Sequence, residues 1–161
     1  MEKFEFDEEN HIYKLNGSII PSVSEIIEPI HKRIYEDISF NTLKSAADRG
    51  IRVHRAIEFI NKYDFYSIDN DCKGYIEAYK KFRNEHPDWR LLNSEFRTYH
   101  KNLLYGMTID EIYQTPKGLL INDIKTTSQA HLDAWSVQLG GYKAGYESQQ
   151  GRIFGTTILQ L

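Results

Sequence analysis

The chain has little of the residue types that define several classes of protein. Its single cysteine, Cys72, excludes an internal disulfide and any four-cysteine metal cluster within this chain. No CxxC pair or paired-histidine motif indicates a zinc site. No run of about 18 apolar residues predicts a membrane span. We therefore expect no membrane partner and a location in the reducing cytoplasm.

The sequence also lacks an excess of positive charge. Against 20 lysines and arginines stand 23 acidic residues, which gives a net charge of -3 and a pI near 6.1. Nucleic-acid-binding domains usually carry a basic footprint, but the local distribution of charge matters more than its total. Basic residues gather in the segments 31–33, 49–55 and 80–83, which could line a groove. Composition alone therefore neither requires nor excludes a nucleic-acid partner.

Turn and capping signals divide the chain into short elements. The pair Asn16-Gly17 is a strong turn signal and predicts a hairpin within residues 1–21. Ser22 and Glu25 form a capping box that opens a helix. Hydrophobic periodicity predicts further helices at about 42–62, 72–85 and 132–149, and strands at about 91–99, 104–113, 118–126 and 153–161.

This order of elements predicts an α/β (α+β) fold. A central mixed β-sheet is expected to be flanked by helices and preceded by an N-terminal β-hairpin. A length of 161 residues with 40% hydrophobic residues suits a single domain with one core. We expect that domain to cover 1–161, with the hairpin and first helix in 1–40 and the core in about 42–161.

Two of the predicted strands each bring a carboxylate into an apolar setting. Asp110 ends the run that begins at Tyr105, and Asp123 follows a run of two leucines and an isoleucine. Side chains alternate along a strand, so Asp123 and Lys125 project from the same face. Because a buried charge without a partner costs several kcal/mol, such a cluster normally needs a cation or an equally strong compensation. Two oxygen donors suit Mg²⁺ or Mn²⁺.

A simpler interpretation of the Asp123-x-Lys125 triplet stays open at this point. An acidic residue followed two positions later by lysine also occurs at Asp71 and Lys73, in a polar segment. From those residues alone, an exposed salt bridge on a sheet surface is as good an interpretation as a metal site.

Two predicted helices carry further candidates. His54 lies at the edge of an apolar stripe formed with Val53 and Ile57, and Gly50 one turn earlier permits close approach of backbone or ligand. A lone histidine beside an apolar face is more often a core residue than a ligand. Further along, Gln138 and Tyr142 are one turn apart and face the same way. Trp135 and Tyr146 extend this row, and an aromatic row at helical spacing is usually part of the core.

The order of these motifs is more specific than any one of them. It resembles the PD-(D/E)xK nuclease superfamily, in particular its RecB-like and phage exonuclease-like branch, and the resemblance runs from about 50 to 142. Segments 11–17 and 21–27 also resemble phage members. The motifs in chain order are Gly50-x-x-x-His54, Glu95, Gly106-x-x-x-Asp110, Asp123-x-Lys125 and Gln138-x-x-x-Tyr142.

The resemblance implies a restriction-endonuclease-like core and a metal site. Asp110 and Asp123 would hold Mg²⁺, for which Mn²⁺ can substitute, and the carbonyl of Ile124 would be a further ligand. His54 would complete or support the coordination. One metal ion or two are both compatible with the motifs.

The resemblance also implies roles for the remaining motif residues. Lys125 would orient the attacking water and help it lose its proton. Glu95 matches an acidic position on the strand before the metal strands, with the least defined role of the set. Gln138 and Tyr142 would bind the phosphate backbone of the substrate or brace the site.

We therefore expect a Mg²⁺-dependent deoxyribonuclease that hydrolyses phosphodiester bonds through a metal-activated water, with exonuclease preferred over endonuclease. Related enzymes leave a 5′-phosphate and a 3′-hydroxyl. The alternative is a catalytically idle nucleic-acid-binding module, or a nuclease subunit of the same fold that depends on a partner. A homo-oligomer and a helicase-like recombination partner are both left open.

Overall fold

Strands form early in the chain, as the turn signals predict. A computed structural model describes residues 2–64 and 69–161. The antiparallel strands β1 (Phe4–Asp7), β2 (Ile12–Leu15) and β3 (Ser18–Ile20) form a sheet in that order. The Asn16-Gly17 turn joins β2 and β3, with both residues in the left-handed region at φ 52° and 82°.

The predicted hairpin that turns at Asn16-Gly17 is present, but it is only part of the N-terminal sheet. A second hairpin precedes it and joins β1 to β2, so the sheet has three strands. Its turn is held by Asp7, whose side chain accepts a hydrogen bond from the backbone N–H of Asn10 at 3.1 Å, and by His11 at φ 53°. Such side-chain turns are weaker sequence signals than Asn-Gly.

Five α-helices lie within residues 2–64 and 69–161. The capping box of the first is present, because the Ser22 N–H donates to Glu25 at 2.6 Å and the Glu25 N–H donates to Ser22 at 3.1 Å. The third begins two residues before its predicted start, since the Ser39 hydroxyl accepts from the N–H of Thr42. The helices are α1 (Val23–Ile26), α2 (Glu28–Ile34), α3 (Phe40–Tyr63), α4 (Lys73–Glu85) and α5 (Leu132–Glu147).

The larger sheet is mixed, which confirms the predicted fold class. Its strands are β4 (Arg90–Tyr99), β5 (Gly106–Thr115), β6 (Gly118–Lys125) and β7 (Gly155–Gln160), in the order β4-β5-β6-β7. The first three are antiparallel neighbours. Strand β7 pairs with β6 in parallel, because α5 carries the chain back along the sheet.

Helices cover both faces of the larger sheet. Ile112 and Ile121 pack with Leu139 of α5 on one face, whereas Ile124 packs with Val53 of α3 and with α4 on the other. The smaller sheet lies against the beginning of β5, where the Tyr13 hydroxyl is 2.7 Å from that of Thr108. Gly106 permits this approach, since a Cβ there would lie 2.3 Å from the Tyr13 ring. No helix among the described residues could cross a membrane.

Candidate metal centre

Asp110 and Asp123 lie where β5 and β6 separate. The antiparallel ladder between these strands ends with the pair Glu111 and Asn122. Beyond it, the N–H of Ile124 finds no carbonyl on β5 and donates instead to the Asp110 carboxylate at 2.7 Å. Both aspartates are buried, with Asp110 9% and Asp123 2% exposed. The gap between the strands therefore collects two carboxylates and leaves room for a ligand.

Three side chains from three elements meet at this gap. His54 of α3 has Nδ1 3.6 Å from an Asp110 oxygen and 3.7 Å from a Glu95 oxygen. One potential ligand atom from each of these residues lies within 4.8 Å of the others, so the three could hold a metal ion. We call His54, Glu95 and Asp110 the metal cluster. The other nitrogen of His54, Nε2, is 3.1 Å from the carbonyl oxygen of Ile124, which was predicted as a ligand.

Glu95 reaches the metal cluster through an unusual backbone conformation. It lies inside β4 with φ 51°, in the left-handed region that residues other than glycine rarely adopt. Its neighbours pair normally with β5, Ser94 with Glu111 and Phe96 with Ile109. Such strain costs about 1–3 kcal/mol and concentrates at functional sites. The sequence motif gave Glu95 the least defined role, and nothing in the sequence signals this conformation.

Asp123 and Lys125 form a buried pair beside the metal cluster. Lys125 Nζ lies 2.7 Å from Asp123 Oδ2, as the alternation of side chains along β6 predicts. Asp123, predicted as a metal ligand, is not part of the metal cluster. The exposed-salt-bridge interpretation is wrong, since both side chains are at least four-fifths buried. The residues of the second triplet pair elsewhere: exposed Asp71 pairs with Arg52, and Lys73 pairs with Glu77.

The pKa shifts of Asp110, Asp123 and His54 show that negative charge is concentrated in this region. Burial raises the pKa of Asp110, and burial with the negative charge of Asp110 raises that of Asp123 to about 6. Burial would lower the pKa of His54, but Asp110 and Glu95 outweigh it and raise the pKa to about 9. The buried carboxylates are therefore stabilised by any positive charge placed near them. Imidazole, carboxylate and carbonyl donors in such a setting fit a divalent cation.

Gln138 and Tyr142 connect to the buried pair. Lys125 Nζ donates to Gln138 Oε1 at 2.8 Å, and Gln138 Nε2 donates to the Tyr142 hydroxyl at 2.7 Å. Because a lysine ammonium can only donate, it fixes which end of the amide faces which neighbour. Both α5 side chains are buried, at 7% and 5% exposed. Of the two predicted roles, this geometry fits bracing better than phosphate binding.

A cleft of about 1080 Å³ opens from the metal cluster toward the N-terminal sheet. Arg55, Arg97 and Lys125 bring positive charge to its lining. The three predicted basic segments do not form one groove, because Arg52 pairs with Asp71, whereas residues 80 and 83 line a separate cavity of about 540 Å³. Only part of the predicted basic surface therefore faces the metal cluster.

Comparisons with known proteins assign the chain to no family. No known family's sequence profile matches it. No curated protein is significantly similar to it.

Proposed function

We propose that this chain is a divalent-metal-dependent DNA nuclease of the PD-(D/E)xK type. One observation carries the proposal: His54, Glu95 and Asp110, which are distant in sequence, converge beside the buried pair of Asp123 and Lys125. The order and spacing of the same residues suggested this chemistry from the sequence. An exonuclease that acts in the cytoplasm remains the preferred form of the proposal.

The donor set suits a hard divalent cation. The metal cluster would hold it, and the nearby Ile124 carbonyl would be a further ligand. Carboxylate and carbonyl oxygens favour Mg²⁺ or Mn²⁺, and the imidazole makes Mn²⁺ a good substitute for Mg²⁺. When bound, such an ion neutralises the scissile phosphate and lowers the pKa of a bound water.

The chain's own residues would supply the remaining electrostatics. Lys125 is fixed by Asp123 and Gln138, so its ammonium group needs little reorganisation to stabilise negative charge that develops on the phosphate. Tyr142 lines the cleft and receives the second hydrogen bond of Gln138, which keeps that amide in one orientation. These contacts hold the Lys125 ammonium group at the cleft wall next to the metal cluster.

Cleavage of labelled DNA with Mg²⁺, with Mn²⁺ and with EDTA tests the proposal. Linear and covalently closed circular duplexes are compared, with Asp110→Asn as the inactive variant and Asp88→Asn, at an exposed aspartate, as the matched control. Wild type and the control should cut with metal only, and Asp110→Asn should not cut.

The substrate pattern then decides the class. Digestion of linear but not closed DNA indicates an exonuclease, and nicking of circles indicates an endonuclease. DNA binding without metal-dependent cleavage of any substrate would contradict the proposal and favour the idle binding module.

A further inference from the structure

The proposed reaction needs a group that takes a proton from the attacking water. Lys125 donates a hydrogen bond to Gln138 and lies 2.7 Å from Asp123 Oδ2. An ammonium group paired with a carboxylate has three N–H donors and no lone pair with which to accept another proton. It can stabilise the hydroxide that forms, but the proton itself has to pass to another group in the cleft.

Most carboxylates of the cleft are already engaged. Glu58 lies 2.5 Å from Lys62 Nζ, and Glu8 lies 3.6 Å from an Arg97 nitrogen. The carboxylates of the metal cluster would be bound to the cation. Glu9 lines the far wall of the cleft and is exposed to solvent. None of these groups is a good proton acceptor next to Lys125.

His31 of α2 differs from these carboxylates. It is partly buried and lines the same cleft as Lys125 and the metal cluster. Its ring packs 6.0 Å from that of Tyr35, and none of the described residues hydrogen-bonds its ring nitrogens. The charged or titratable neighbours that act on it are Lys125 of β6 and His131, at the start of α5.

Its surroundings keep the His31 imidazole neutral. Burial, followed by the positive charge of Lys125 and by His131, lowers its pKa below the usual 6.5. The ring therefore keeps a lone pair available at neutral pH, in contrast to His54, whose pKa is raised to about 9. His31 is therefore suited to accept a proton, whereas His54 lies among carboxylates.

We propose that His31 is the general base of the hydrolysis, an inference that rests on the proposed function. A ring nitrogen of His31 takes one proton from the water while the water oxygen bonds to phosphorus. The bond between phosphorus and the 3′ oxygen breaks, and that oxygen takes a proton from solvent. The products are a 5′-phosphate and a 3′-hydroxyl, and the imidazolium returns its proton to solvent.

Single-turnover cleavage of saturating linear DNA with Mg²⁺ tests this role in the whole chain. His31→Gln should lower the rate constant about 10²–10³-fold, the usual contribution of a general base, and change the half-saturating DNA concentration less than about threefold. His131→Gln is the matched control, because His131 also packs against Tyr35, at 5.3 Å, but does not line the cleft. It should stay within about twofold of wild type.

Chemical rescue separates proton transfer from a folding defect. Added imidazole should restore cleavage by His31→Ala in proportion to its neutral form, and the rise of the wild-type rate with pH should flatten in His31→Gln. Any of three results would overturn the proposal. They are a change in the half-saturating DNA concentration alone, a His31→Gln rate constant within about threefold of wild type, and no rescue by imidazole. If wild type cuts and His31→Gln cuts equally well, only the His31 role fails. If wild type cuts nothing, the proposed function fails with it.

Discussion

Asp110 and Glu111 are consecutive residues of β5, yet their side chains enter two different kinds of buried environment. Glu111 is fully buried and accepts three hydrogen bonds, from the Tyr79 hydroxyl at 2.5 Å, Asn61 at 3.0 Å and Asn122 at 2.8 Å. Glu111 faces α3 and α4, because its partners Asn61 and Tyr79 lie on those helices. Its charge is satisfied by groups that the protein itself supplies.

Asp110 has few neutral donors around it. It accepts one backbone hydrogen bond, from Ile124, and its other close neighbours are the charged or titratable groups His54 and Glu95. Burial alone therefore does not distinguish a structural carboxylate from a candidate metal ligand. The count of neutral donors does, because a carboxylate short of them needs a cation.

The sharpest way to break this comparison is to neutralise each carboxylate in turn. Asp110→Asn should reduce metal-dependent cleavage by at least about 10³-fold, because it removes a charge from the metal cluster. Glu111→Gln should stay within about threefold of wild type under conditions where both are folded. Single-turnover rates measure both. Equal losses of cleavage rate in the two variants would show that the different surroundings of Asp110 and Glu111 have no bearing on activity.

A second prediction concerns stability, on which the substitution of Glu111 should have a larger effect than that of Asp110. Glu111→Ala should lower the free energy of unfolding by about 1–3 kcal/mol, because it removes the shared acceptor of three hydrogen bonds, and the buried Asn122 amide loses its bond to that carboxylate. Asp110→Asn should change metal-free stability far less, since it relieves repulsion from Glu95 and Asp123. Urea unfolding in EDTA measures both variants. A Glu111→Ala protein as stable as wild type would remove the structural role of the hydrogen-bond network.

How far the sequence predicts this contrast depends on the range of each interaction. The alternation along β6 correctly predicted that Asp123 and Lys125 share a face, and the apolar runs correctly predicted burial. The partners of Glu111 were not predictable, because Asn61 and Tyr79 lie on helices far away in the chain and carry no local signal. The left-handed conformation of Glu95 was missed for the same reason, since tertiary contacts hold it.

Metal binding should sharpen the comparison further. At a metal concentration 100 times the dissociation constant, Mn²⁺ should raise the free energy of unfolding by about 2.7 kcal/mol in wild type and in Glu111→Gln. Asp110→Asn and Glu95→Gln should lose most of this gain. Thermal melting with and without Mn²⁺ measures it. Full stabilisation of Glu95→Gln would exclude that carboxylate from the metal cluster.

The smallest expected effect is the pH dependence of stability without metal. Asp123 and His54 both have raised pKa values, so the native state binds protons more tightly than the unfolded chain. The contribution of Asp123 should be complete below its unfolded pKa, near 3.8, and should be lost as pH rises through about 6. That of His54 should be complete below 6.5 and lost as pH rises through about 9.

A variant of Asp123 should remove the acidic window. Asp123→Asn should abolish the decline in the acidic window and leave the protein about 2 kcal/mol more stable than wild type at pH 7 in EDTA, because it removes a buried, repelled charge. Glu111→Gln should leave both windows in place. Unfolding by urea from pH 4 to 9 measures the curves. If the stability of Asp123→Asn still declines as pH rises through about 6, the decline does not come from repulsion between Asp110 and Asp123.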